Sequence, residues 1–395
     1  MSQFNYNKNR IDEYIQNNKS EIKESVPVII KGEKKNLSVY RLPIDLLYYN
    51  IRNGRFAAEY RNEVKKEGGA LIPEKTEDAK KIRDLLWNLN VNESKLTYQD
   101  IKQRGQWEPG IITEDGYVID GNRRMSILSK LFQDTSNDEF KFIKVGRLPA
   151  NVEDTDLWKL EAGIQLGKEE IVRYGPMNEL LKLEEAKLLG ISNKEIAKVL
   201  YGIDDEEEIK DRLDRLELIK RYLIHIDNPD DFKKAEAKVE HFKELQKIIK
   251  ACGKPEDGGV NLSPDERIAI RKAVFCLINQ GVRHMDLRKI EKMIRRELGN
   301  AIEKITSLAE DCEGIDTKDQ LPEDDEPNLI KTKFVAATDI LDADMNKNQV
   351  AELLRRAAVN LDAVNYQSPD LKKPQLKELI QKIMDHMKKL EKLGE

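Results

Sequence analysis

The run YVIDGNRR at residues 117–124 joins a short apolar stretch to a glycine turn and the start of a helix. Residues 117–119 predict a strand, and apolar residues at 125, 128 and 131 predict an inward-facing helix over 122–131. A glycine at such a junction lets the backbone approach an anion closely. The first amides of the helix have no partner within it and lie at the positive end of its dipole, which also favours an anion.

Two arginines follow this glycine directly, and their forked, permanently charged donors suit phosphate oxygens. The pattern therefore predicts a phosphate-binding turn, which we define as residues 120–124. Arginines that are only solvated or paired with an acid are the alternative, because a five-residue motif is weak evidence by itself.

The residues before the turn strengthen the prediction. Residues 96–124 read LTYQDIKQRGQWEPGIITEDGYVIDGNRR, which predicts a short helix, a strand, a tight turn at 114–116 and a second strand. This order, with its final box, resembles the N-terminal domain of the ParB and sulfiredoxin-like superfamily, whose members carry a glycine and arginine box at the same junction. The runs RLPIDLL (41–47) and NIRNGRF (50–56) resemble the opening strand and the arginine-bearing segment of that family. The resemblance covers about residues 27–223.

In ParB proteins this segment and the box close over a bound cytidine nucleotide. The resemblance implies a nucleoside triphosphate, CTP or ATP, bound with Mg²⁺. Together, the turn and the resemblance give a set of predicted nucleotide-binding residues: Arg52, Arg55, Asp120, Gly121, Asn122, Arg123, Arg124 and Gln165.

This chain departs from the family pattern at three places. Asn122 replaces the acidic residue that the family links to hydrolysis, which leaves hydrolysis open. Ala162 and Leu166 stand near the expected Asn and Arg of a third nucleotide segment, so the base is open too, and Gln165 is the nearby polar residue. The cysteine that sulfiredoxin chemistry needs is missing from the box.

The three cysteines are scattered at positions 252, 276 and 312. Their spacing shows no pairs, which indicates a reducing compartment, and it contains no zinc ribbon or other metal site. No apolar run approaches transmembrane length, and the first residues lack the apolar core of a signal peptide. We therefore expect a cytoplasmic protein without a membrane partner.

Residues 190–202, GISNKEIAKVLYG, predict the first helix and turn of a helix-turn-helix. A Ser192 or Asn193 cap is followed by apolar residues at helical spacing and by a glycine. Lys194 and Lys198 on this helix are predicted contacts to a DNA backbone.

The next helix begins with the run DDEEE at 204–208. Five carboxylates would repel DNA where a recognition helix meets it, but they suit the helix dipole. A packing helix is therefore favoured over a DNA-reading helix.

One helix, over 283–296, has a strongly basic face. A solvated face is the default interpretation, and contact with a nucleic-acid backbone is the alternative. The predicted contacts on this face are Arg288, Lys292, Arg295 and Arg296.

The fold class predicted is α+β: a small ParB/Srx-like mixed domain, a helix-turn-helix and a mainly helical C-terminal region. The run SPDE at 263–266 is typical of a capped helix start. The predicted segments are an N-terminal arm (1–26), the mixed nucleotide-binding domain (27–150), the helix-turn-helix domain (151–227), a helical domain (228–312), an acidic linker (313–330) and C-terminal helices that can form a homodimer (331–395).

Charged residues make up 36% of the 395 residues and the net charge is −5, so any DNA contact must be local. The first functional hypothesis is an NTPase or nucleotide switch in a bacterial or phage DNA-related process such as DNA modification, defence or partition. The alternative is a non-catalytic DNA-binding or adaptor protein with a degenerate nucleotide pocket, which recruits a DNA-modification or defence enzyme. A phosphate-binding turn would also serve a small-molecule kinase, but no residue identifies an acceptor.

Overall fold

The computed structural model describes residues 3–18, 21–167, 175–200, 205–313, 329–362, 364, 368 and 373–393. Its strands are β1 (Glu21–Ile30), β2 (Glu33–Pro43), β3 (Tyr48–Tyr49), β4 (Gly110–Ile112), β5 (Tyr117–Asp120) and β6 (Phe142–Arg147). Its helices are α1 (Gln3–Asn18), α2 (Ala57–Glu67), α3 (Thr76–Asn88), α4 (Val91–Arg104), α5 (Asn122–Thr135), α6 (Asp154–Gly167), α7 (Pro176–Leu188), α8 (Asn193–Val199), α9 (Glu206–His225), α10 (Lys233–Glu236), α11 (Val239–Ala251), α12 (Pro264–Asn279), α13 (His284–Arg295), α14 (Gly299–Glu313), α15 (Leu329–Asp362) and α16 (Pro374–Leu393). Short 3₁₀ turns lie at Ile44–Leu46, Gly54–Phe56, Asp138–Lys141 and Pro255–Asp257.

The six strands form one mixed sheet in the order β1-β2-β6-β4-β5-β3. β3 runs parallel to β5 and β4 runs parallel to β6, whereas the other neighbours are antiparallel. A two-residue turn with positive φ at Lys31 and Gly32 joins β1 to β2, as tight hairpins require. The predicted α+β class is confirmed.

Alternate residues of β5 face opposite sides of the sheet. Val118 packs in a core with Met125 of α5 and Ile82 of α3. Ile119 packs on the other side with Leu160 of α6. The strand and helix predicted around the phosphate-binding turn are confirmed, and α5 continues to Thr135 instead of ending at 131.

Most helices from α7 to α15 share one large core that crosses the predicted boundary at residue 227, whereas α6 and α8 pack in a smaller one. Tyr222 of α9 contacts Phe242 of α11 and Phe275 of α12, with ring centroids 5.4 and 5.7 Å apart. The first part of α15 enters the same core through Phe334. The predicted linker falls mostly on residues 314–328, outside the described residues.

The acidic start of α9 forms a helix cap, in which the Asp205 side chain accepts a hydrogen bond from the Glu207 amide. Ile209 and Ile219 on the inner face of this helix are buried. The preference for a packing helix is thus consistent with the structure, and residue 204 lies outside the described residues. α16 exposes Ile380, among other apolar residues, and dimerisation through this helix stays a prediction.

The cysteines require a correction. Cys276 of α12 and Cys312 of α14 form a disulfide, and Cys252 is the free, buried one. The two bonded residues lie 36 positions apart and meet only because α12 and α14 pack together, so their spacing could not indicate a pair. The inference of a reducing compartment from unpaired cysteines was wrong in its premise. No helix in the described part of the chain is both long and apolar enough to cross a membrane.

Removing the disulfide should destabilise the helical core. We expect Cys276→Ser with Cys312→Ser to lower the free energy of unfolding by about 2–4 kcal/mol, because the open chain gains conformational entropy when it unfolds. Urea denaturation without reductant measures the difference, and Cys252→Ser is the control that keeps the disulfide. Thiol titration of the unfolded natural chain should find one thiol before reduction and three after it; three before reduction would contradict the bond.

Candidate functional site

The phosphate-binding turn begins where β5 ends at Asp120. Gly121 has φ +106°, and a Cβ there would lie 3.3 Å from the Cα of Gly110. Only glycine adopts this conformation readily, which explains its place at the junction. α5 starts without a side-chain cap and with no acidic residue in its first turn, so its first amides retain their affinity for an anion.

Asn122 is buried and uses its side chain to hold the turn together. Its Nδ2 donates to the carbonyl of Val118 at 2.6 Å, and its Oδ1 accepts from the amide of Asn50 at 3.0 Å. A side chain so engaged joins β5 to the loop that follows β3. The side chain of Asn122 therefore has a structural role, and its backbone amide belongs to the start of α5.

The two arginines of the turn are only partly paired. Nη1 of Arg123 lies 2.8 Å from Oε2 of Glu93, and Nη2 of Arg124 lies 3.6 Å from Oε2 of Glu108. Nε and Nη2 of Arg123 and Nη1 of Arg124 are buried and find no acceptor among the described residues. Such donors cost about 1–3 kcal/mol each when left unpaired, so three of them around one turn indicate a place for a further acceptor.

The arginine-bearing segment 50–56 is fixed by asparagine side chains. Oδ1 of Asn50 accepts from the amide of Arg52, and Oδ1 of Asn53 accepts from the amide of Arg55, both at 2.9 Å. Asn178 of α7 donates to the carbonyl of Arg55 at 2.9 Å. The backbone of this segment is therefore ordered before any ligand binds.

A cavity of about 530 Å³ lies beside this segment. Arg52 lines it and pairs with Asp154 at 2.7 Å, and both side chains are more than half exposed. The turn residues 120–124 do not line the cavity. The structure thus joins the segment of Arg52 to the turn through the bond from Asn50 to Asn122 and through the pairing of β3 with β5. Gln165 belongs to α6, but its side chain lies outside the described residues.

Sequence reasoning missed a buried ionic cluster that lines the cavity. Nζ of Lys182 lies 2.8 Å from Oε2 of Glu161 and 2.7 Å from Oε2 of Glu185. Burial lowers the pKa of Lys182, but the two carboxylates outweigh it and hold that pKa above its usual value. Burial also raises the pKa of Glu185. The other oxygen of Glu161 accepts from the amide of Gly54 at 2.9 Å, so the cluster anchors the arginine-bearing segment.

The predicted DNA contacts lie on two other elements. Lys194 and Lys198 are exposed on α8, which starts with a capping box at Ser192. On the basic helix α13, three arginines pair with acids of the same chain and Lys292 is exposed. The pairs are Arg288 with Glu244 at 3.0 Å, Arg295 with Glu291 at 2.8 Å and Arg296 with Asp344 at 2.9 Å. This pairing favours a solvated, internally neutralised face.

Loss of the Lys182 charge should be costly. Lys182→Met leaves two buried carboxylates without their cation, so we expect the free energy of unfolding to fall by about 3–5 kcal/mol. The difference in the free energy of unfolding between the variant and the natural chain should shrink as the pH falls towards the acid range. There Glu185, whose pKa burial raises, takes up a proton and no longer penalises the folded state.

Urea denaturation at several pH values measures this effect. Lys182→Met combined with Glu161→Gln and Glu185→Gln is the control, and it should recover most of the loss because no buried charge remains. A deficit that is the same at every pH would show that lost packing of the lysine stem, not charge, is responsible.

No cluster of three or more metal-binding side chains occurs within the described ranges. Comparison of the sequence with protein-family models and with curated proteins gave no match. Membership of the ParB and sulfiredoxin-like superfamily therefore stays a prediction.

Proposed function

We propose that this chain binds a nucleoside triphosphate, CTP or ATP, with its phosphates at residues 120–124. In this proposal it acts as a nucleotide switch or NTPase in a bacterial or phage DNA-related process. The observation that carries the proposal is the set of three buried guanidinium nitrogens of Arg123 and Arg124 that lack an acceptor. Both arginines belong to the first turn of α5, whose uncapped start would also offer helix amides to a phosphate.

Two of the pairs that the arginines now make, those of Arg52 and Arg124, are weak enough to be exchanged for phosphate. Arg52 and Asp154 are solvent-exposed, and Glu108 opposite Arg124 is 69% exposed. Exposed ion pairs contribute about 0–1 kcal/mol, whereas charge-assisted hydrogen bonds from arginine to phosphate are roughly twice as strong as neutral ones. A polyanionic ligand would therefore displace these carboxylates at little cost.

The arrangement of the sheet also supports a ParB-like domain. The turn stands at the end of β5, and the arginine-bearing segment follows β3, which is the parallel neighbour of β5. Both segments therefore leave the same edge of the sheet, as two parts of one nucleotide site would.

Mg²⁺ would reach the site with the triphosphate, since it binds proteins through one or two carboxylates together with phosphate oxygens and water. Asp154, exposed beside Arg52, is a carboxylate suited to this role. Both side-chain ends of Asn122 are occupied by backbone hydrogen bonds, so this residue does not replace the missing acid. That engagement favours a switch over a rapid NTPase.

A second candidate function is the adaptor with a degenerate pocket. Its support is that Arg52, Arg123 and Arg124 all contact carboxylates of their own chain. In that case the acids would neutralise the site permanently, and no nucleotide would bind.

Calorimetric titration of the full chain with CTP, ATP, GTP and UTP in the presence of Mg²⁺ separates the two. We expect one of them to bind, and Arg124→Ala to weaken it at least about tenfold, because a hydrogen bond to a charged group contributes about 1.5–3 kcal/mol. Arg104→Ala is the matched control, since Arg104 is an exposed arginine paired within α4, and it should bind as the natural chain does. No binding of any nucleotide would favour the adaptor, whereas equal binding by Arg124→Ala would place the nucleotide away from residues 120–124 and contradict the proposed site.

Removal of the internal competitor should have the opposite effect. Glu93→Gln frees Nη1 of Arg123 from its carboxylate, so we expect nucleotide affinity to rise about two- to fivefold, the equivalent of a weak ion pair. Glu77→Gln, an exposed change of the same charge on α3, controls for net charge. If Glu93→Gln weakened binding instead, Glu93 would be positioning Arg123 and not competing with phosphate.

A further inference from the structure

A second concave region lies apart from the turn and from the cavity at Arg52. It is a groove of about 900 Å³ between the β1–β2 hairpin on one side and α6 and α8 on the other. The groove shares no lining residue with the 530 Å³ cavity. What binds there is thus a separate question from nucleotide binding.

The groove combines an apolar lining with unpaired positive charge. Leu160 and Ile164 of α6 line it, and Ile29 of β1 lines it with 66% of its surface exposed. Lys31 and Lys198 also line it and contact no acid within the described ranges. The remaining charged lining residues are Lys34, Lys159, Asp156 and Glu195, of which Lys159 and Glu195 pair with each other at 3.2 Å.

The outer edge of β1 borders the groove, and none of the described strands lies beside it. Ile30 and Glu33 flank the two-residue turn, and in such a hairpin this pair exchanges backbone hydrogen bonds. Pairs alternate along an antiparallel ladder, so the next pair, Ile29 and Lys34, does not exchange backbone hydrogen bonds. The N–H and C=O of Ile29 therefore point away from β2. Pro27, the next residue directed outwards, has no N–H to lose, which is typical of an edge strand.

We propose that this groove binds an extended acidic segment of a partner protein, which adds as a strand to the outer edge of β1. The backbone of that segment would pair with Ile29, its apolar side chains would contact the apolar lining, and its carboxylates would meet the lysines. DNA fits these features less well, because its backbone cannot form a β-ladder or cover an apolar surface.

Selection of random dodecapeptides on the full chain by phage display tests the proposal. We expect enriched peptides in which acidic and β-branched residues alternate. The fluorescein-labelled form of the strongest peptide then serves as the probe, and fluorescence anisotropy measures its affinity for the natural chain and for variants.

Two variants separate backbone pairing from charge. Ile29→Pro removes one outward N–H without breaking the β1–β2 ladder, as Pro27 already does, and we expect it to weaken the probe about tenfold. Lys31→Glu with Lys198→Glu should weaken it at least as much. Lys95→Glu with Lys102→Glu, two exposed lysines of α4 outside the groove, is the matched control and should bind normally.

Results of three kinds, on peptides, on DNA and on self-association, would overturn the proposal. Enriched peptides without acidic residues, or a probe that both groove variants bind normally, would exclude strand addition. A short fluorescein-labelled DNA duplex that binds the natural chain but not the lysine variant would assign the groove to nucleic acid. A dimer in light scattering that Ile29→Pro abolishes would assign it to a second copy. Nucleotide titration of the same variants is independent of all three, because no groove residue lies in the turn.

Discussion

The side chain of Asn122 is the constraint on which the site depends. It is buried at the point where β5 becomes α5, and it bonds both to the strand before it and to the amide of Asn50. Without it, the Asn50 amide and the Val118 carbonyl would each lose a buried partner, which a folded chain avoids. One amide side chain thus sets the position of the arginine-bearing segment relative to the start of α5.

The far side of the same segment has a second buried anchor. Glu161, which pairs with Lys182, accepts a hydrogen bond from the amide of Gly54. Buried polar groups therefore hold the segment at both of its ends. Because the segment is already ordered before binding, a ligand has to offset a smaller loss of conformational entropy. The guanidinium groups of Arg52 and Arg123 now pair with carboxylates, which a phosphate would have to replace.

What the sequence predicted well was local. The strand and helix around residues 117–131 depend on apolar spacing and a glycine, and the helix start at Ser263 depends on a capping box, all within a few residues. The cluster around Lys182 and the bond between Cys276 and Cys312 join separate elements, so no spacing could show them. Of the nucleotide-binding residues predicted to share one pocket, Arg52 lines the cavity while Arg123 and Arg124 do not. Relative placement across elements is a tertiary property.

Charge pairing explains why the most basic stretch of sequence is not the best candidate for a ligand. At α13, Arg288 and Arg296 pair with acids from α11 and α15, so part of their charge is neutralised within the chain. Lys31 and Lys198 belong to a smaller and less conspicuous group of basic residues, but no acid among the described residues contacts them. An approaching anionic partner responds to the charge left after internal pairing, summed over about one Debye length. At the β1 edge and at the turn after β5, basic side chains lie beside backbone donors that have no partner among the described residues.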